Sequence, residues 1–190
     1  MAHISIIGTG NMGQAIAAVA GRGGHTVTLV GKDDTDARLG DIVVLAVPYP
    51  ALADIVATRS AELADRIVVD ITNPVDFATF DSLTVAADGS AAAELAAALP
   101  GSRVLKAFNT NFARTLAAGT VGDLTTTVLI AGDDGEAKAT LAGIVAAGGL
   151  KAIDAGSLRR ARELEALGFL QITLAAGEKI SWTGGFGVIA

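Results

Sequence analysis

Three glycines, Gly8, Gly10 and Gly13, stand at the spacing G-x-G-x-x-G in the stretch HISIIGTGNMGQAIAAVAGRGG, which runs from residue 3 to residue 24. Glycine at that spacing suits phosphate recognition. The first makes a tight turn, the second lets backbone approach a pyrophosphate, and the third lets a helix pack closely on a strand. Backbone N–H groups from Gly10 to Met12 would then point at the phosphates, where the helix dipole favours an anion. A glycine-rich turn with nothing bound has the same spelling. Here, however, the motif follows an apolar run, opens a helical pattern and precedes a second apolar run, and this context favours the dinucleotide cradle.

The end of the second strand separates two cofactors, because an Asp or Glu there accepts from the ribose hydroxyls and repels a 2′-phosphate. The sequence reads LVGKDD, with Gly31 and Lys32 at that place. A charge-assisted bond from Lys32 to a 2′-phosphate is worth on the order of 1.5 to 3 kcal/mol. Arg38 adds to it, while Asp33, Asp34 and Asp36 oppose it. The balance selects NADP(H) over NAD; otherwise Lys32 is only a solvated turn residue.

These groups need a scaffold, and the apolar pattern supplies one. Runs rich in β-branched residues recur at 4–7, 26–30, 42–47, 67–71, 103–108, 126–131 and 150–154. They are nearly all apolar rather than alternating, as in strands buried on both faces of a parallel sheet. Ala-rich helical stretches lie between most of them, and in the first of these Met12, Ile16, Val19 and Ala20 form the buried face. The fold class is α/β, a doubly wound and mostly parallel sheet. Only residues 31–40 separate the second run from the third, too few for the usual helical crossover, so that crossover is shortened. Residues 157–179 form a long helical pattern with Leu164, Leu167, Leu170 and Leu174 along it, either a closing helix or a dimer face, followed by a Gly-rich tail. The whole chain, 1–190, reads as one domain, and a homodimer is expected.

Ligands of open α/β sheets bind beyond the carboxyl ends of the strands. Four turns therefore line one expected crevice: AVPYPAL, DITNPVDF, KAFNTNFA and DAGSLRRARELE. Pro48 and Pro74 stiffen its walls, and Tyr49 lies against a ring system. Asn73, Asn109, Thr110 and Asn111 offer amides and a hydroxyl to polar edges of a ligand, or else bond only their own backbone.

Composition excludes several other chemistries. With no cysteine and two histidines, disulfides, thiolate catalysis and a structural zinc site are ruled out or improbable. A net charge of −6 without a Lys/Arg run argues against nucleic acid and anionic membranes. The longest apolar stretch, 42–57, is broken by Pro48, Pro50 and Asp54 and is not a membrane span. Without a signal-peptide pattern the expected compartment is the cytoplasm. There is no Lys-Tyr pair, Ser/His/Asp set or carboxylate cluster, so no catalytic side chain is assigned. His3 and His25 read as structural, and Asp70 and Asp154 as turn caps.

In order, IIGTGNMGQAIA, VVLAVPYPAL, VVDITNP, LKAFNT and DAGSLRRARELEALGFLQ resemble the family of NADPH-dependent coenzyme F420 reductases. They also resemble the NADPH-oxidising domain of the STEAP metalloreductases. The resemblance covers nearly the whole chain and implies hydride transfer between NADP(H) and a flavin-like ring, F420 or FMN/FAD, stacked on the nicotinamide. It further implies that Gly8, Thr9, Gly10, Asn11 and Met12 hold the pyrophosphate, with Gly31 and Lys32 at the 2′-phosphate. Val47, Pro48 and Tyr49, with Asn73 and Pro74, border the adenosine and the nicotinamide ribose. Phe108, Asn109 and Thr110 lie by the nicotinamide, and Ala113 lies by the acceptor. Such a transfer needs alignment rather than a side-chain acid. The chain departs from the family in its short second crossover and in Phe112, which replaces a proline. The alternatives are an imine or pyrroline-type reductase, suggested by the same GTGNMG start, and a dinucleotide-binding module without catalysis.

Overall fold

The computed structural model describes residues 1–189, so Ala190, the last residue of the expected tail, lies outside the described residues. Each of the seven apolar runs becomes a strand. The first five are β1 (His3–Ile7), β2 (Thr26–Val30), β3 (Ile42–Leu45), β4 (Ile67–Asp70) and β5 (Arg103–Lys106). After a short ribbon of β6 (Thr120–Val121) and β7 (Leu124–Thr125) come β8 (Thr127–Gly132) and β9 (Lys151–Gly156). The sheet has the order β2-β1-β3-β4-β5-β8-β9. Its first five strands are parallel, while β8 lies antiparallel against β5 and carries β9 parallel to itself. This is the doubly wound, mostly parallel Rossmann-type sheet that the runs predict.

Both faces are covered, which is why the strands can be apolar throughout. On one face α1 (Asn11–Arg22), α4 (Ala113–Ala118) and α5 (Gly135–Ala147) bury Ile4, Ile6, Val44 and Leu105 against Ile16, Val19 and Val145. On the other, α2 (Leu52–Leu63), α3 (Ala91–Ala98) and the start of α6 (Ala161–Ala176) cover Ile7, Val43, Leu45 and Val68. The strands end earlier than the apolar runs because Ile71, Ala107 and Phe108 leave the ladder yet stay buried at the rim of the core.

The crossover from β2 to β3 contains no helix. Instead the chain lies flat on β1: Leu39 is buried, and Gly40 donates its N–H to the buried Ser5 hydroxyl (2.9 Å). A side chain at Gly40 would collide with the backbone of His3. Arg59 of α2 donates to the Ala37 carbonyl (2.7 Å), tying the loop down from the other side. At the amino ends of the strands His3 Nε2 meets Thr28 Oγ1 at 2.9 Å, and His25 Nδ1 accepts from the Ala2 N–H at 3.2 Å.

One expectation needs correction. The turn after β9 does not join the crevice at its strand end, because β8 and β9 run opposite to the other strands. Asp154 is largely exposed there and takes a 2.8 Å bond from Lys138, which holds its carboxyl below the usual range. Helix α6 lies over the polar turns, and of the four leucines along it only Leu164 is buried. Its inward residues are Ala161, Leu164, Glu165, Gly168, Gln171 and Ala175, while Leu170 is exposed. A face of small and polar residues suits a helix laid over polar turns rather than over strands.

Candidate functional site

From β1 the chain steps to β2 on one side and then to β3 on the other, so the sheet order reverses at β1. Open sheets bind ligands at such a switch point, and the glycine turn occupies it. Gly8 leaves β1 with φ +114°, a conformation that side chains rarely tolerate, and a β-carbon there would lie 2.1 Å from the Ala46 carbonyl oxygen. A β-carbon on Gly13 would lie 2.2 Å from the Gly8 carbonyl oxygen. The packing of the chain thus requires both glycines. Gly10 is different. Its φ of −71° and ψ of −177° suit any residue, and nothing lies within 4 Å of where its β-carbon would stand. As the N-cap of α1 it contributes no side-chain cap, and the first turn carries no acidic residue. An open, uncapped helix start of this kind fits a pyrophosphate. Thr9 and Asn11 are exposed beside it, and the Thr9 carbonyl accepts from Gln14 Nε2 at 2.9 Å.

At the end of β2, Lys32 is exposed. Asp34 folds back so that its Oδ2 accepts the Gly31 N–H at 2.8 Å. An acidic group therefore sits close to the place where one would bond a ribose hydroxyl, with a lysine two residues away.

Beyond β4 and β5 opens a cleft of about 570 Å³, bounded by Asn11 and Met12, Asn73, Asn109 and Asn111, Phe112, Ala113 and Arg114, and from farther along the chain Ile172 and Trp182. It brings the glycine turn, two of the polar turns and α6 together. Asn73 and Asn109 do not merely bond their own backbone. Asn109 Nδ2 donates to Asn73 Oδ1 (2.9 Å) and to the Leu164 carbonyl (2.9 Å), and Asn73 Nδ2 donates to the Asn109 carbonyl (2.8 Å). Gly168 lets α6 pass over this pair, since a β-carbon there would lie 2.4 Å from Asn73 Oδ1. The Oδ1 atoms of Asn109 and Asn111 are buried and accept no hydrogen bond within the described residues. Unused buried acceptors are rare, and both residues belong to the cleft wall.

Not every expected residue reaches the cleft. The Phe108 ring is buried in the core, because the residue adopts φ +62°, which turns the ring down beside Ile16 and Leu141. Backbone strain of about 1 to 3 kcal/mol is held there by the packed ring. Tyr49 faces a different groove, between α2 and α3, where its hydroxyl donates to Glu94 at 2.5 Å; this bond and partial burial push the phenol up to about 12. Val47 lies against Gly8, and Pro48 is exposed at the mouth of the same loop. Pro74 is buried, and its carbonyl takes the Thr84 N–H at 2.7 Å. Thr110 is buried, and its carbonyl accepts from Gln171 Nε2 at 3.1 Å.

Sequence reasoning missed a buried charge cluster beneath the cleft. Lys106 Nζ donates to Asp70 Oδ2 (2.8 Å), Glu165 Oε1 (2.8 Å) and the Thr72 carbonyl (2.5 Å), and all three charged side chains are inaccessible to solvent. Glu165 also accepts the N–H groups of Ala91 and Ala92 at the start of α3, and Asp70 accepts that of Thr72. The cluster fixes α6 to β4, β5 and α3, and thereby sets one wall of the cleft. Among the described residues no group of three or more His, Asp or Glu side chains could hold a metal ion, and no helix is long and apolar enough to cross a membrane.

No family model matches the sequence. An F420-dependent NADP reductase of Methanocaldococcus jannaschii is 31% identical over 166 residues, covering 85% of this chain and 74% of that protein. The metalloreductase STEAP3 of Rattus norvegicus is 40% identical over 106 residues, covering 56% of this chain but only 20% of that protein. Among solved structures, a protein of Arthrobacter sp. FB24 assigned as an F420-dependent NADP reductase superposes with a TM-score of 0.85 at 25% identity, over the full length of both chains.

Proposed function

The chain belongs to the family of F420-dependent NADP reductases, and from that premise we propose that it passes a hydride between NADP(H) and a flavin-like ring, coenzyme F420 or a flavin. It is an NAD(P)H-dependent oxidoreductase. The observation that carries the finer reading is the cleft: it starts beside the uncapped turn around Gly10 and continues past Asn73, Asn109 and Asn111 into an aromatic pocket. A reduced nicotinamide held there would supply the hydride for the acceptor ring, with the accompanying proton coming from solvent. The residues of this chain bind and align. Gly8 and Gly10 admit the pyrophosphate, and Asn109, held by Asn73 and Leu164, presents a fixed amide. Met12, Ile71 and Ile172 give the cleft apolar walls. Alignment of two rings is enough for such a transfer, which agrees with the absence of an assigned acid or base.

The reading is tested by following the reduced-nicotinamide absorbance under anaerobic conditions, with NADPH or NADH and, in turn, F420, FMN, FAD and a cyclic imine. Oxidation of NADPH by F420 or a flavin supports it. Oxidation by the imine alone, or tight NADPH binding with no oxidation by any acceptor, moves the function to a C=N reductase or to a binding module.

Cofactor preference depends on the two opposed charges after β2. Lys32→Ala should weaken NADPH binding several-fold and leave NADH unchanged. Asp34→Asn keeps an acceptor for the Gly31 N–H but removes a charge that repels the 2′-phosphate, so it should tighten NADPH several-fold. Calorimetric titration of both variants with both cofactors checks this; an equal change for NADPH and NADH would remove the phosphate from the account.

A further inference from the structure

We propose that Lys106 is a positioning residue: from beneath the cleft its ammonium sets the spacing of the two groups that hold the Asn109 amide in place. The proposal rests on the reductase reading and deepens it by adding a residue buried out of reach of cofactor and acceptor alike.

The Asn109 amide has one orientation. Its Nδ2 donates to Asn73 Oδ1 and to the Leu164 carbonyl, both at 2.9 Å, and turning the amide over would set its oxygen against those two acceptors. Asn73 is fixed in turn, because its own Nδ2 donates to the Asn109 carbonyl at 2.8 Å. Both asparagines line the cleft. The direction of the Asn109 amide therefore depends on the separation of Asn73, in the turn after β4, from Leu164, on α6.

Lys106 controls that separation. An ammonium has three N–H donors, and here they go to Asp70 Oδ2, Glu165 Oε1 and the Thr72 carbonyl, at 2.8, 2.8 and 2.5 Å. Thr72 immediately precedes Asn73, and its N–H donates to Asp70 Oδ1 at 2.8 Å, so the cluster holds both of its backbone groups. Glu165 immediately follows Leu164 and also takes the N–H groups of Ala91 and Ala92, at 2.9 and 3.3 Å. The ammonium thus grips the chain one residue away from each group that holds Asn109. Stability alone does not call for this arrangement, since apolar residues can fill such a space without the cost of desolvating three charges. Only a cation draws a carbonyl of the turn and a carboxylate of the helix to one point.

Two readouts separate positioning from stability. In the ¹⁵N-labelled chain the side-chain NH₂ signals of Asn109, identified by their loss in Asn109→Ala, report the amide without any ligand, and calorimetry with NADP⁺ reports binding. In Lys106→Met and in Glu165→Ala these signals should move, and NADP⁺ should bind about tenfold more weakly, the worth of one hydrogen bond. Glu165→Gln keeps an acceptor for Lys106 and should retain most of the affinity. Because Lys106 acts through Asn109, adding Asn109→Ala to either disrupting variant should weaken NADP⁺ no further than Asn109→Ala alone, within about twofold. Leu63→Ala, in the core at the far end of α2, lowers stability but should leave the signals and the affinity unchanged. Should Lys106→Met fail to fold, Glu165→Ala carries the test. Unmoved Asn109 signals, losses that multiply in the double variants, an equal loss in Leu63→Ala, or full NADP⁺ affinity in Asn109→Ala overturns the proposal. Coupled losses of NADP⁺ affinity in a chain whose NADPH no acceptor oxidises would sink the hydride-transfer reading alone.

Discussion

Methionine in place of Lys106 should lower the stability of the fold by about 3 to 5 kcal/mol, read as a fall in the urea midpoint at constant slope. Lys106 lies between Asp70 and Glu165, 2.8 Å from each, and none of the three touches solvent. Desolvating three charges is expensive, and the cluster as a whole need not stabilise the fold relative to an apolar core. Removing the ammonium alone is different, because two carboxylates then remain in the interior with only the N–H groups of Thr72, Ala91 and Ala92 to bond them. The double variant Lys106→Met with Glu165→Gln should recover part of the loss, because one of the stranded charges is gone, and a double-mutant cycle gives the coupling. A loss below about 1 kcal/mol, the level of an exposed pair, would show that the cluster does not hold α6 in place.

The same cluster gives a pH signature. Burial pushes the Glu165 carboxyl above its ordinary range, against the pull of Lys106 and of the Ala91 N–H. In the window between the two values the folded chain keeps a proton that the unfolded chain has released, so stability falls as pH rises through it. The contribution of Glu165 is therefore complete below about pH 4.3 and declines as pH passes the raised folded value. The stability of the unaltered chain relative to Glu165→Gln should decrease over that interval. A difference that grows with pH would mean that the carboxyl is held ionised by Lys106.

The first five strands and the glycine turn were legible because each rests on local chemistry: a buried parallel strand has to be apolar, and a φ of +114° at Gly8 needs glycine. The shortened crossover was legible as a residue count, although only the structure shows Ser5 and Gly40 replacing the helix with a polar contact. The direction of β8 and β9 was not, since an apolar run looks the same in either sense. Of the charge cluster the sequence singled out only Asp70, as a turn cap, and not Lys106, the one cation inside the apolar run VLKAF. Its partner Glu165 resembles any solvated glutamate of an amphipathic helix until α6 is placed, and α6 is placed by Gly168, Gln171 and the amide pair rather than by leucines. Phe108 misled for a related reason. The motif KAFNT marks the right turn, but a positive φ sends the ring into the core and leaves Asn109 at the cleft.

Alanine at Gly10 should weaken NADP(H) binding about a hundredfold, the equivalent of one or two charge-assisted hydrogen bonds at roughly 1.5 to 3 kcal/mol each. The fold itself should hardly notice. Its φ and ψ at this position suit alanine, nothing lies within 4 Å of the new methyl, and the change from Gly to Ala at a helix N-cap costs at most about 1 kcal/mol. Gly8→Ala is the contrasting variant. There the φ of +114° and the 2.1 Å approach to the Ala46 carbonyl force the β1 turn apart, so stability and binding should fall together. The separation is the informative part. Of the three glycines in the motif, two are required by the protein's own packing, and the third is bare where only open space faces it. Calorimetry with NADP⁺, paired with thermal unfolding of each variant, reads the two effects independently. Unchanged affinity in Gly10→Ala would leave the turn as a strand-to-helix connection and would refute the phosphate cradle.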